Sequence, residues 1–247
     1  YMQNQQLIPD CKVDIGEFWS EVSKYSKDNK VDPTLSYMLI LENKMHDAGV
    51  EISRENLINY GKQLKLFSGV NDWFGRIKDY GKANNIEVEH YIISSGLTNM
   101  IEGCSFYNQI DRVYACEYIF KDRRGLWPKL SVNYSNKVQY LYRIHKGAFE
   151  VSDQEGVNKK KYFGDNIHVP FENMIFFGDG ETDVPTFNVL NKNNGKSICI
   201  YEDQQQKSID TAKKLFSDGR VHHLVKNDYS EGSEVDKLVK EIIKSKN

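Results

Sequence analysis

No stretch of the 247 residues approaches the ~20 consecutive apolar residues that span a bilayer. The N-terminal end has no basic segment followed by an apolar run, so a secretory leader is not expected. Neither sign of charge dominates: 33 Lys and Arg stand against 35 Asp and Glu, a formal net charge of −2. That balance gives no reason to expect nucleic acid or a membrane surface as a partner. The four cysteines, Cys11, Cys104, Cys116 and Cys199, form no Cys-x-x-Cys pair. Free thiols in a reducing compartment are therefore expected, and a zinc site is not. Gly-x-Gly-x-x-Gly and P-loop patterns are missing, which argues against a nucleotide-binding α/β protein. There is no internal repeat and no low-complexity tract. The expected setting is cytoplasmic, as a monomer or homodimer.

What is present is enough to build a core. The chain is 39% hydrophobic, and its 15 tyrosines and 12 phenylalanines argue against disorder. The first eighty or so residues read as helical. Asp14 is a plausible N-cap before Ile15, Phe18, Trp19 and Val22, which share one helical face. Asp32-Pro33 opens a second helix through Tyr37, Leu41 and Met45, with Gly49 as its stop. Ser53 begins a third, with Leu57, Tyr60 and Leu64, and residues 69–82 form a fourth. Trp19, Tyr37 and Tyr60 are read as core of this helical block, with substrate choice as their alternative role.

From Val88 the texture changes. Val88-Glu89-His90-Tyr91-Ile92-Ile93 is a β-prone run ending in Ser94-Ser95-Gly96, with a helix expected over 97–104. Residues 113–120 read as a strand, Asp122-Arg123-Arg124-Gly125 as a turn, and 129–133 as the returning strand. A helix is expected over 136–146, closed by Gly147. A polar exposed loop follows over 150–168, in which Lys159, Lys160 and Lys161 read as a solvated face. Three β-then-α units close the chain: strands at 174–177, 197–201 and 221–225, with helices at 183–190, 205–216 and 231–243. Alternating strands and helices imply an α/β fold with a parallel sheet, and such sheets take ligands beyond the carboxyl ends of their strands.

The sharpest motif is Met174-Ile175-Phe176-Phe177-Gly178-Asp179-Gly180-Glu181-Thr182-Asp183. An apolar strand delivers Gly-Asp-Gly at its carboxyl end, and a second aspartate follows four residues after the first. Hard oxygen ligands there suit Mg²⁺, which keeps several waters and takes one or two carboxylates plus substrate phosphate. The plainer alternative is a strand-to-helix turn, with Asp183 favoured by the helix dipole. Ser94, Ser95 and Gly96, between a strand and a helix N-terminus, could cradle phosphate oxygens, although serine is also an ordinary cap. Lys137, opening the helix at 136–146, could neutralise phosphate and carboxylate charge. Lys146 is the rival lysine, already explained at a helix C-terminus.

In this order, strand–Ser, lysine on a helix and strand–Gly-Asp-Gly-x-x-Asp, the chain resembles the haloacid dehalogenase (HAD) superfamily over most of its length. It is most similar to the phosphoserine-phosphatase-like branch, which carries a helical cap. The resemblance implies a HAD-like Rossmannoid parallel sheet flanked by helices, over 71–247, and an all-helical cap over 4–70. A β-hairpin insertion falls near 113–134. It further implies an Mg²⁺-dependent phosphatase for a small phosphorylated substrate. Ser94 matches the second motif, Lys137 the third, and Asp179 with Asp183 the fourth. Asp179 and Asp183 then serve the metal and catalysis, Lys137 catalysis and phosphate, and Ser94, Ser95 and Gly96 the phosphate. The stretch from Lys137 to Asp179 is longer than usual for the family.

The family's first motif, an apolar strand ending in Asp-x-Asp-x-Thr with the nucleophile as its first aspartate, has no match here. Asp10 and Asp14 are too far apart and follow no strand. The chain opens on Tyr1 rather than a methionine, and the motif is expected upstream of it. An aspartyl-phosphate route cannot run without the attacking carboxylate, so the 247-residue span alone is expected to be inactive. Without that strand, which is central in the family, two strand edges should stand open. The alternative is a phospho-ligand binder of the same fold that lacks the nucleophile.

Overall fold

In a computed structural model, which describes residues 2–158 and 167–246, the elements follow the expected change from helical to alternating texture. In chain order they are α1 (Leu7–Asp10), α2 (Ile15–Asn29), α3 (Pro33–Asp47), α4 (Arg54–Lys62), α5 (Val70–Ala83), β1 (Tyr91–Leu97), α6 (Thr98–Glu102), β2 (Arg112–Lys121), β3 (Arg124–Leu130), α7 (Lys137–Lys146), β4 (Ile175–Gly178), α8 (Val184–Lys192), β5 (Lys196–Tyr201), α9 (Gln206–Ser217), β6 (His223–Lys226) and α10 (Glu234–Lys244). No helix among the described residues is long and apolar enough to cross a membrane. The lysines at 159–161 lie outside the described residues.

The chain forms two compact units, Tyr1–Leu66 with Glu89–Asn133 and Phe67–Val88 with Tyr134–Asn247. In the first unit, local caps set the helices. The Asp14 side chain accepts from the Gly16 and Glu17 amides, Asp32 from Thr34 and Leu35, and Ser53 from Asn56. Each satisfies amides that a helix start leaves without partners. Trp19, Tyr37 and Tyr60 each bond within the unit: Trp19 to Asn4, Tyr37 to Gln3 and Tyr60 to Asp10. The sheet here runs β1-β2-β3, with β1 and β2 parallel and β2 and β3 antiparallel. Its inner face packs on α3, where the Tyr118 hydroxyl donates to the Met38 carbonyl at 2.6 Å.

Two strand expectations are corrected in this unit. The strand expected from Val88 starts at Tyr91, where its ladder to Arg112 begins, and it continues through Gly96 to Leu97. The ladder is regular to Ser94, then breaks and resumes at Leu97 opposite Cys116. The hairpin returns at Arg124 rather than 129, because Asp122 and Arg123 both take left-handed conformations, φ 50° and 63°. That two-residue turn matches the twist of the strands it joins and needs no glycine to lengthen it.

The second unit holds the parallel sheet β4-β5-β6. Side chains alternate along β5. Ile198 joins Trp73, Ile77, Val235 and Val239 of α5 and α10, while Cys199 joins Phe187, Ala212 and Leu215 of α8 and α9. Helices thus cover both faces, as a parallel sheet requires. Among the described residues β1 has a ladder neighbour on one side only, and so does β4. These are the strands that carry the serine and Gly-Asp-Gly motifs.

Candidate active site

β4 ends at Gly178, and the chain passes through Asp179 and Gly180 into a 3₁₀ turn at Glu181–Asp183 before α8. The turn is closed by Asp183. Its amide donates to the Gly180 carbonyl at 3.1 Å, and its Oδ2 accepts from the Asp179 amide at 3.0 Å. The other oxygen, Oδ1, accepts from Lys137 Nζ at 2.6 Å. Asp183 is buried, at 3% exposure, and Lys137 is buried at the start of α7. One carboxylate therefore fixes the Asp179 backbone and a buried ammonium together.

Gly178 is glycine for a packing reason. A Cβ there would stand 2.6 Å from Asp183 Oδ2 and 2.6 Å from Phe187 Cζ. Gly180 differs, because a Cβ on it would meet nothing within 4 Å, so that side of the turn is open. Both Asp183 oxygens are already bonded, whereas the Asp179 side chain is exposed. It keeps solvent access, but surrounding protein still withdraws water and raises its pKa above the ordinary 3.8. The Asp183 charge acts in the same upward direction, and Lys137 opposes both. Two carboxylates share one lysine here. Beneath them lies Cys199, whose thiol is pushed up to about 12 by burial and then by the Asp179 and Asp183 charges. It stays protonated and apolar in character, a neighbour that the sequence pattern did not reveal.

The expected residues divide between the units. Lys137, Asp179 and Asp183 meet in one. The rival Lys146 turns its Nζ to the Val157 carbonyl at 2.5 Å. Ser94, Ser95 and Gly96 belong to the other unit, where they are half-buried. Ser94 Oγ accepts from the Gly96 amide at 3.0 Å, which draws the backbone into the ladder break after Ser94. Met2 rests on this bend: a Cβ at Gly96 would lie 2.6 Å from its Cε. The following helix, α6, has only five residues, shorter than the helix expected over 97–104. Its length makes it a poor anion cradle by dipole alone.

For Mg²⁺ the donor set is lean but chemically apt. No group of three or more His, Cys, Asp and Glu side chains that could hold a metal occurs among the described residues. Asp179 offers one hard carboxylate at the carboxyl end of a parallel strand, and Mg²⁺ is commonly bound by one or two carboxylates with waters completing the octahedron.

An α/β chain with parallel strands flanked by helices, and with its acidic turn at a strand's carboxyl end, has the architecture of the HAD-like fold. The crystal structure of a HAD-family hydrolase from Salmonella enterica serovar Typhi superposes with a TM-score of 0.54 at 16% identity, over 91% of this chain. At that identity the likeness shows the fold, and the chain spans 60% of the length of that hydrolase. In sequence, an uncharacterized protein of Borreliella burgdorferi is 26% identical over an alignment that covers 94% of this chain and 87% of that protein. No family model matches.

Proposed function

We propose that the protein is an Mg²⁺-dependent phosphomonoester hydrolase acting on a small phosphorylated metabolite through an aspartyl-phosphate. The observation that carries this reading is the Lys137–Asp183–Asp179 chain of contacts at the carboxyl end of β4, with Asp179 left open to ligand. Asp179 would hold the cation, whose charge would offset that of the phosphoryl oxygens. Asp183 positions both the Asp179 backbone and Lys137, so a positive charge stands ready in a low-dielectric place without reorganising during reaction. The phosphate role of Ser94, Ser95 and Gly96 enters through the family resemblance alone. Residues 4–70 would act as the helical cap. None of the 247 residues supplies an Asp-x-Asp-x-Thr motif, so the reading requires an attacking carboxylate from outside this span.

That same lack favours one second reading, a phospho-ligand binder with no turnover. Hydrolysis of p-nitrophenyl phosphate with Mg²⁺ separates them, run on the full gene product and on the 247-residue span in parallel. Turnover by the full product, absent from the span and from the full product carrying Asp179→Asn, supports the hydrolase. No turnover in any form, with Mg²⁺-dependent phosphate binding retained, supports the binder instead.

A further inference from the structure

The β2–β3 hairpin has apolar residues on both faces, although antiparallel sheets commonly turn one polar face to water. Its inner face is already used: Tyr118 bonds α3, and a Cβ at Gly125 would strike Tyr118 and Ile52. On the outer face Ile119 pairs across the strands with Trp127, and the register shift leaves Leu126 as the extra residue of a β-bulge beside them. These three are exposed by 48%, 68% and 60%. They make a concentrated apolar spot of the sort that marks an interaction surface. Pro128, on the outermost strand, lacks the N–H that edge-to-edge pairing would use, so the contact on offer is through the face.

We propose that this outer face is a two-fold contact with a second copy of the chain. The charges on β2 specify the geometry. Glu117, Ile119 and Lys121 alternate along one strand and so share the outer face. A two-fold axis through Ile119, lying between the stacked faces and perpendicular to the strand, sets each Glu117 opposite the second copy's Lys121. An axis along the strand would instead set Lys121 against Lys121. Glu117 also takes Lys129 Nζ at 2.9 Å across its own hairpin, and a carboxylate has acceptor capacity for a second cation. The face is thus self-complementary, as an isologous contact must be. Trp127 at its centre is the residue type that most often dominates such contacts.

Sedimentation equilibrium over a concentration series tests this. The native protein should sediment as two chains. Trp127→Glu should raise the dissociation constant at least ~100-fold, with an unchanged far-UV circular dichroism spectrum because the side chain is exposed. Glu117→Lys and Lys121→Glu should each weaken self-association by about tenfold. Mixed in equal amounts, those two variants should recover a dimer, since each then meets an opposite charge. A native chain that sediments singly at every concentration overturns the proposal, as does a dimer indifferent to Trp127→Glu. A mixture no tighter than either charge variant alone overturns it as well.

Discussion

Two carboxylates in the same unit are buried almost equally, Asp183 at 3% exposure and Asp236 at 1%, yet their surroundings are opposite. Asp236, in the first turn of α10, accepts from Arg76 Nε at 3.0 Å, Lys240 Nζ at 2.8 Å and the Gly232 amide at 2.9 Å. One anion has two cations and a favourable helix end. Burial would raise its pKa, but Lys240, the Gly232 amide and Arg76 outweigh that and hold it below 3.8. Around Asp183 the ratio is reversed, because Asp179 adds a second anion and Lys137 is the cation that both share. The Asp236 cluster is saturated and needs nothing more. The Asp179 turn is short of positive charge, and a site short of charge of one sign is a place for a ligand that supplies it.

The comparison breaks most visibly at Asp236. Asp236→Ala leaves Arg76 and Lys240 without their carboxylate and should cost about 3 kcal/mol, the lower end for breaking a buried pair because both cations retain some solvent. Urea denaturation should show it, and a loss under 1 kcal/mol would mean the network is dispensable. Gly178→Ala comes next. Its Cβ must displace Asp183 or Phe187, so about 2 kcal/mol should be lost, together with any activity that needs the Lys137 contact. Gly180→Ala is the control, with open space around its Cβ, and should leave stability within about 0.5 kcal/mol of the native protein. Equal losses at the two glycines would contradict the packing account.

The two sites also differ in how far the sequence revealed them. Gly178-Asp179-Gly180 with Asp183 is a local pattern on one strand and one turn, and Lys137 stood out by opening a helix. Asp236 and Arg76 are 160 residues apart and belong to no pattern, so only the folded sheet brings them together. The helix starts at Asp14, Asp32 and Ser53 were legible because a cap is a contact over two or three residues. The return of the hairpin was not. Asp122 and Arg123 occupy left-handed backbone without glycine or asparagine to announce it. The start of β1 depended on where β2 begins, at Arg112, a partner that no local periodicity names.

The smallest effect sharpens the comparison most, because its sign differs at the two sites. Asp179 has a folded pKa above the ordinary 3.8. Between that value and its raised one, the folded protein keeps a proton the unfolded chain has released, so stability falls as pH rises through the window. At neutral pH the ionised group carries the whole cost. Asp179→Asn removes it and should stabilise the protein by up to about 1 kcal/mol, a modest gain because the side chain keeps solvent access. Below about pH 4 the gain should vanish, since the native Asp179 is then protonated as well. Asp236 behaves the other way: its folded pKa is depressed, so its contribution is complete above 3.8 and is lost as pH falls through the lower folded value. Melts of both variants against pH should therefore diverge from the native protein in opposite directions at neutral pH; in acid the Asp179→Asn gain should vanish and the Asp236→Ala deficit should narrow. Adding Mg²⁺ at neutral pH should raise the native melting temperature and leave that of Asp179→Asn unmoved, since a ligand stabilises only the fold that binds it. An Asp179→Asn protein less stable than the native one without Mg²⁺ would show that Asp179, like Asp236, is there to hold the fold.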